Sequence, residues 1–179
     1  PSSDTPAVKA RGIVKTSPTE LLTLLRDSSR CGEYNKMSRG RTDEHYFQKG
    51  VDSFGVYGKG ETKVTKSVNR VPLIKHGIEV VNLMHIEALE DGTGYIIVSR
   101  AVWETEAGKP PKGSTGVTRS EIMLGANMLR EFYCEGEECW CEFTTVTHVS
   151  VPGVPLMFGK KVGLDSARNF VRDIQSLWD

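Results

Sequence analysis

The sequence predicts an α+β fold in which a curved antiparallel β-sheet wraps around a long C-terminal α-helix. Three observations carry this. Ala167, Phe170, Val171, Ile174, Leu177 and Trp178 recur at the spacing of one helical face, with Arg168, Arg172, Asp173 and Gln175 between them. The middle of the chain, about 42–149, reads as strands separated by glycine-rich turns. A short helix precedes both, so the order is helix, strand meander, helix. The final amphipathic helix must lie on an apolar surface made by everything before it, either a solid core or one wall of a cavity.

Taken in order, residues 9–15 are β-compatible, with Ile13 and Val14 among their apolar positions. Ser17-Pro18-Thr19-Glu20 is a helix start: serine caps, proline takes the first helical position and Glu20 reaches back to the cap. Leu21, Leu22, Leu24 and Leu25 then form an apolar face that ends near Gly32, and a helical piece or loop covers 33–41. Segments 53–57 and 61–69 flank Gly58-Lys59-Gly60, which predicts a hairpin. Pro72 interrupts before a strand over 77–89, and Asp91-Gly92 marks the next turn. The most β-prone run is 94–104, followed by a Pro- and Gly-rich loop over 107–116. Three further strands are predicted at 117–124, 128–134 and 139–149, the last two joined as a hairpin. On the last strand Cys139, Cys141, Phe143, Thr145, Thr147 and Val149 share one side. That side reads either as a plain core face or as the wall of an amphiphile's pocket.

With 179 residues the chain suits one domain with a sizeable core, here 9–179 after a flexible leader over 1–8 that could equally be a cut from a longer protein. Its 23 basic and 23 acidic residues balance, so nothing in the bulk charge points to nucleic acid, and no apolar run is long enough to span a membrane. Cys134, Cys139 and Cys141 stand as C-x4-C-x-C. A metal site would add His148, and a disulfide is the other alternative. Because Cys139 and Cys141 sit two apart in a strand, reduced structural thiols of a cytosolic protein are expected, with no metal and no cofactor.

Four stretches, in order, carry a resemblance to a known family. They are Arg11-Gly-Ile-Val-Lys-Thr-Ser-Pro-Thr-Glu-Leu-Leu, Asp91-Gly-Thr-Gly-Tyr-Ile-Ile-Val-Ser-Arg-Ala-Val, Gly116-Val-Thr-Arg-Ser-Glu-Ile and Thr144-Thr-Val-Thr-His-Val-Ser-Val-Pro-Gly-Val-Pro. Together they resemble the steroidogenic-acute-regulatory-related lipid-transfer (START) domain, whose architecture is called helix-grip. The resemblance implies a non-catalytic carrier that holds one lipid (a sterol, a phospholipid or similar) in a tunnel closed by the terminal helix. The tunnel-facing positions it implies are Ile97, Ser99, Ser120, Ile122, Thr145, Thr147 and Val149 from the strands, and Phe158, Val162, Ala167 and Phe170 from the helix and its approach. Where sterol-binding members carry a carboxylate and an arginine, this chain has Ser67 and either Asn82 or Met84, so both charges are missing together. The family's additional N-terminal helix and strands have no counterpart before residue 9, and attachment to other domains in a longer chain is compatible with the pattern. Cargo exchange would need transient contact with a membrane surface and an opening lid, with 108–116 and 151–159 as the moving parts.

Two other readings compete. One is a grip-fold interaction or regulatory module with a reduced cavity. The other is a cyclase or hydrolase on the same fold using His148, or His85 with Glu87, although no histidine sits in a recognisable nucleophile motif.

Overall fold

The computed structural model describes residues 6–70, 77–102, 117–136, 138–150 and 156–179. Strand β1 (Val8–Val14) leads into helix α1 (Pro18–Arg26). Its capping box is complete: the Ser17 side chain accepts from the Glu20 amide, and the Glu20 carboxylate accepts from the Ser17 amide. A 3₁₀ turn (Ser28–Arg30) and the single-turn helix α2 (Cys31–Tyr34) follow. Next come strand β2 (Ser38–Gln48), the miniature hairpin β3 (Phe54–Gly55) and β4 (Gly58–Lys59), and strands β5 (Glu61–Asn69), β6 (Gly77–Ala88) and β7 (Gly94–Ala101). The chain ends with β8 (Val117–Arg119), β9 (Glu121–Glu135), β10 (Glu138–Ser150) and helix α3 (Leu156–Gln175).

Eight strands form one sheet in the order β1-β10-β9-β7-β6-β5-β2, with β8 paired to β6. Every pairing in it is antiparallel except β6 with β8. This is the predicted α+β arrangement of a large antiparallel sheet and a C-terminal helix.

Two strand assignments need correction. The segment 53–57, expected to pair with β5, holds only the two-residue strand β3, which pairs with β4 in the stretch expected to be the turn, and the partner of β5 is β2. Strand β2 reads SRGRTDEHYFQ because it is an outer strand whose residues are largely exposed, so it never needed an apolar alternation. The strands expected at 117–124 and 128–134 are instead the short β8 and one long β9. Gly125-Ala126-Asn127 looks like a break in sequence, yet β7 and β10 hold it on both sides.

The apolar core lies between the sheet and the helices. Leu21, Leu24 and Leu25 of α1 meet Met84, Ile86, Ile97, Leu129, Cys141 and Phe143 of the sheet, and Val171 and Ile174 of α3 close the cluster. Helix α3 lies against β1: Gln175 Nε2 donates to the Ile13 carbonyl at 2.9 Å, and Val8 stands beneath Gly163. Their approach depends on Gly12, where a Cβ atom would lie 2.6 Å from Val171 Cγ1 and 3.0 Å from Gln175 Nε2. Gly12→Val should therefore push α3 off the sheet and cost about 1–3 kcal/mol, as overpacking does. A denaturant midpoint equal to that of the unmodified chain would show that α3 does not seat on β1 this closely.

Candidate functional site

Side chains on a strand alternate between two faces, so the pairing register decides which residues meet the helices. Met84 and Ile97 belong to the core, and their cross-strand partners fix the rest of the same face. Ser99 is opposite Met84, Asn127 opposite Ile97, Gly125 opposite Ser99, Thr145 opposite Asn127 and Thr147 opposite Gly125. On the other flank Thr65 is opposite Asn82 and Ser67 opposite Val80.

Ile122 reaches this face because the ladder skips Met123: His148 is opposite Leu124, and the next pair is Val149 with Ile122. Ile122 Cγ2 and Ser99 Cβ lie 3.4 and 3.5 Å from the point a Cβ on Gly125 would occupy. All of the strand residues Ser67, Asn82, Met84, Ile97, Ser99, Ile122, Thr145, Thr147 and Val149 thus fall on the helix-facing side. Ser120 lies between β8 and β9, where its amide donates to the Glu79 carbonyl at 2.9 Å.

This face has two parts. Around α1 it is filled: Met84 and Ile97 are packed in the core, and the Phe170 ring stands 5.7 Å from Phe143 and 6.0 Å from Tyr34. The other part, crossed by β5, β6, β7, β9 and β10, carries Thr65, Ser67, Asn82, Ser99, Asn127, Thr145 and Thr147. Asn82 is only 6% exposed, and its Oδ1 has no hydrogen-bond partner among the described residues; neither has the buried Ser120 Oγ. Ala167 is buried and Val162 half-buried on α3. The Phe158 side chain, the loop over 107–116 and the corner over 151–155 lie outside the described residues. Thr65, Val80 and Asn127 were not singled out from sequence: Thr65 and Val80 each sit two residues from one that was, whereas Asn127 is five from Ile122 and shares its side only because the ladder skips Met123.

A second polar group on this face was missed altogether. Glu61 and Lys63, opposite Ile86 and Met84, point inward beneath α1. The Lys63 side chain is 1% exposed; its Nζ lies 3.0 Å from Asp43 and donates to the Arg26 carbonyl at 2.8 Å. Arg26 Nη2 meets Glu61 Oε2 at 2.6 Å, and the Gly50 amide donates to the same carboxylate at 3.0 Å. Ser28 and Tyr46 donate to Asp43 at 2.6 and 2.7 Å. Burial lowers the Lys63 ammonium from its ordinary value against the pull of Asp43. Burial also raises Asp43, but hydrogen bonds from Ser28, Tyr46 and Lys63 outweigh it and hold the carboxyl below its usual range. Tyr46 is pushed up to about 12, first by burial and then by its bond to Asp43. The network ties α1 and the 3₁₀ turn to β2 and β5.

On the face away from the helices, Glu79 of β6 and Arg119 of β8 form a buried pair at 2.7 Å. His85 also lies on that face, opposite Thr62, with its Nδ1 2.8 Å from Thr62 Oγ1 and its Nε2 3.8 Å from Glu87. His148 alternates with Thr147 and so falls there too. A cleft of about 580 Å³ opens between α1 and the loop at Gly50, lined by Leu22, Arg26, Val51 and Tyr95 among others. It is on the α1 side, away from the Asn82 part of the sheet.

The expectation of reduced thiols is corrected in part. Cys134 and Cys139 form a disulfide, because the β9–β10 register sets them directly opposite with Cα atoms 4.1 Å apart. Cys31 and Cys141 are free and buried, and burial pushes the Cys141 thiol up to about 12.

Asp43 is the nearer of the two carboxylates beside Lys63, with Glu61 at 3.8 Å, so Asp43→Ala should destabilise the fold by about 1–3 kcal/mol, the cost of a buried donor losing its partner. Adding Lys63→Met should recover part of that loss. The folded-state value of Asp43 lies below 3.8, so its contribution is present above that pH and fades as pH falls below it. Asp43→Ala should accordingly flatten the acid limb of the stability–pH curve. Denaturant titrations across pH check all three, and an unchanged acid limb would contradict the assignment.

No protein-family model matches the sequence, and no curated protein does. The structure is similar to several solved ones. Human StAR-related lipid transfer protein 5 superposes with a TM-score of 0.75 at 15% identity, over 96% of this chain and 74% of that one. The human StarD13 lipid transfer and protein localization domain gives 0.74 at 15%, over 97% and 77%. A STAR-related lipid transfer protein fragment from Xanthomonas axonopodis gives 0.70 at 12%, over 99% and 88%. At these identities the likeness is one of fold: the chain has a START-like, helix-grip fold.

Proposed function

We propose that this chain binds one hydrophobic lipid between the Asn82 part of the sheet and α3, for transfer or sensing, and that it is not an enzyme. The observation that carries this reading is the Asn82 carboxamide, buried on the helix-facing side with an acceptor left unmade. An unpaired buried acceptor costs about 1–3 kcal/mol, and a donor on a bound amphiphile would supply the missing bond. The neighbouring groups are hydroxyls and amides, which suits an uncharged polar head on the cargo, such as a hydroxyl or amide, better than a phosphate. The START-like fold supports the same reading, since the similar structures include lipid-transfer proteins.

The chain would exchange its cargo at a membrane surface, with the N-terminal part of α3, the preceding corner and the 108–116 loop moving aside. Among the described residues no helix is long and apolar enough to cross a membrane. A cytoplasmic site of action belongs to the same proposal.

The test is to incubate purified protein with mixed-lipid vesicles, re-isolate it, extract it with solvent and weigh what is released. One lipid per chain is expected. Asn82→Leu should weaken retention by about ten-fold, the worth of one hydrogen bond, while raising the melting temperature of the empty protein. Equal retention by this variant, or no lipid with the unmodified chain, would count against the proposal.

A further inference from the structure

The tip of the β9–β10 hairpin carries a group that lipid binding does not use. The ligand atoms of Glu131, Cys134 and Cys139 all lie within 4.8 Å of one another. Glu131 and Cys134 are exposed and Cys139 is half-buried, so the group is open to solvent.

Regular alternation would not assemble it. Residues 131 and 134 are an odd number apart and would face opposite sides of a regular strand. The ladder passes from Trp140 opposite Tyr133 to Cys141 opposite Glu131, leaving Phe132 as an extra residue. That extra residue turns the Glu131 carboxylate to the side of the two sulfurs. On the other side the Tyr133 and Trp140 rings meet edge to face at 5.9 Å, and the Tyr133 hydroxyl donates to Glu135. Ladder and ring pair therefore hold the two cysteines opposite each other whether or not they are bonded.

We propose that, once the Cys134–Cys139 disulfide is reduced, Glu131, Cys134 and Cys139 bind one zinc ion, making the hairpin tip a redox-gated metal site. A dithiol reductant gives two electrons and two protons to the disulfide, becoming a disulfide itself and leaving two thiols. Zinc then displaces both thiol protons, forms two Zn–S bonds and one Zn–O bond to Glu131, and keeps a water as fourth ligand. With Zn–S near 2.3 Å and tetrahedral angles, the sulfurs need to stand about 3.8 Å apart, within reach of side chains whose Cα atoms are 4.1 Å apart. Two thiolates select zinc over magnesium or calcium, which prefer oxygen. The exposed Glu135 and Glu138 add negative potential that attracts a cation. The oxidised hairpin offers no thiolate and binds none.

The full chain is reduced with a dithiol, desalted under nitrogen, and titrated with zinc against a chromophoric chelator, with native mass spectrometry reporting the ion count. One zinc per reduced chain and none on the oxidised chain are expected. Cys134→Ser with Cys139→Ser should abolish binding, and Cys141→Ser should leave it unchanged. Glu131→Gln should weaken it by about ten-fold or more, the loss that disturbing even an outer-shell partner causes. Independently of any variant, cadmium added to the reduced chain should give the ultraviolet charge-transfer band of a metal thiolate. Zinc retained by the double serine variant, equal affinity in Glu131→Gln, equal binding by the oxidised chain, or a reduced chain that binds neither metal would each overturn the proposal.

Discussion

The cross-strand register is the constraint on which the rest of this structure depends. A shift of one residue in any central strand would turn its whole set of side chains to the other face. In the register found, Thr65, Asn82, Ser99, Asn127 and Thr145 come to one side together with Met84, Ile97 and Phe143. Helices α1 and α3 can then bury the apolar part of that side. Gly12 lets α3 sit close enough to do so, and the Asp43–Lys63–Glu61–Arg26 network fixes α1 and its following turn to the outer strands.

The two parts of the helix-facing side differ in physical character. Around α1, leucines and aromatic rings fill the space, and the charges beneath them have partners. Across the Asn82 part, hydroxyls and amides face inward, and the buried Asn82 Oδ1 has no partner among the described residues. The packed end holds the fold together, while the polar end keeps a buried acceptor unmade. The β9–β10 tip is a third, separate feature, held by its own ladder and ring pair.

Much of this was legible in the sequence where local rules act alone. The Ser17–Glu20 capping box, strands β6 and β7 and the amphipathic face of α3 follow from spacing and residue type. Strand β2 was not legible, because a solvated outer strand shows no apolar alternation. The break assumed at Gly125 vanished because two neighbouring strands override one residue's preference. Glu61 and Lys63 carry no sequence signal of burial, and only the register shows them pointing inward. The same holds for Cys134 and Cys139: their spacing in sequence is compatible with thiols, a disulfide or a metal site, and the hairpin register alone sets them face to face. The residues facing the helices could be named in part, since alternation fixes which share a face once one member is known. Their hydrogen-bond satisfaction could not, because it depends on neighbours far apart in the chain.

Amide hydrogen exchange with and without added lipid reads out directly where cargo would sit. Lipid should slow exchange in β6 and β10 around Asn82 and Thr145 and in the part of α3 around Val162, while α1 and the β9–β10 tip stay unchanged. Protection confined to α1, to the tip or to the cleft at Gly50, or no protection at all with lipid bound, would contradict the proposed lipid site.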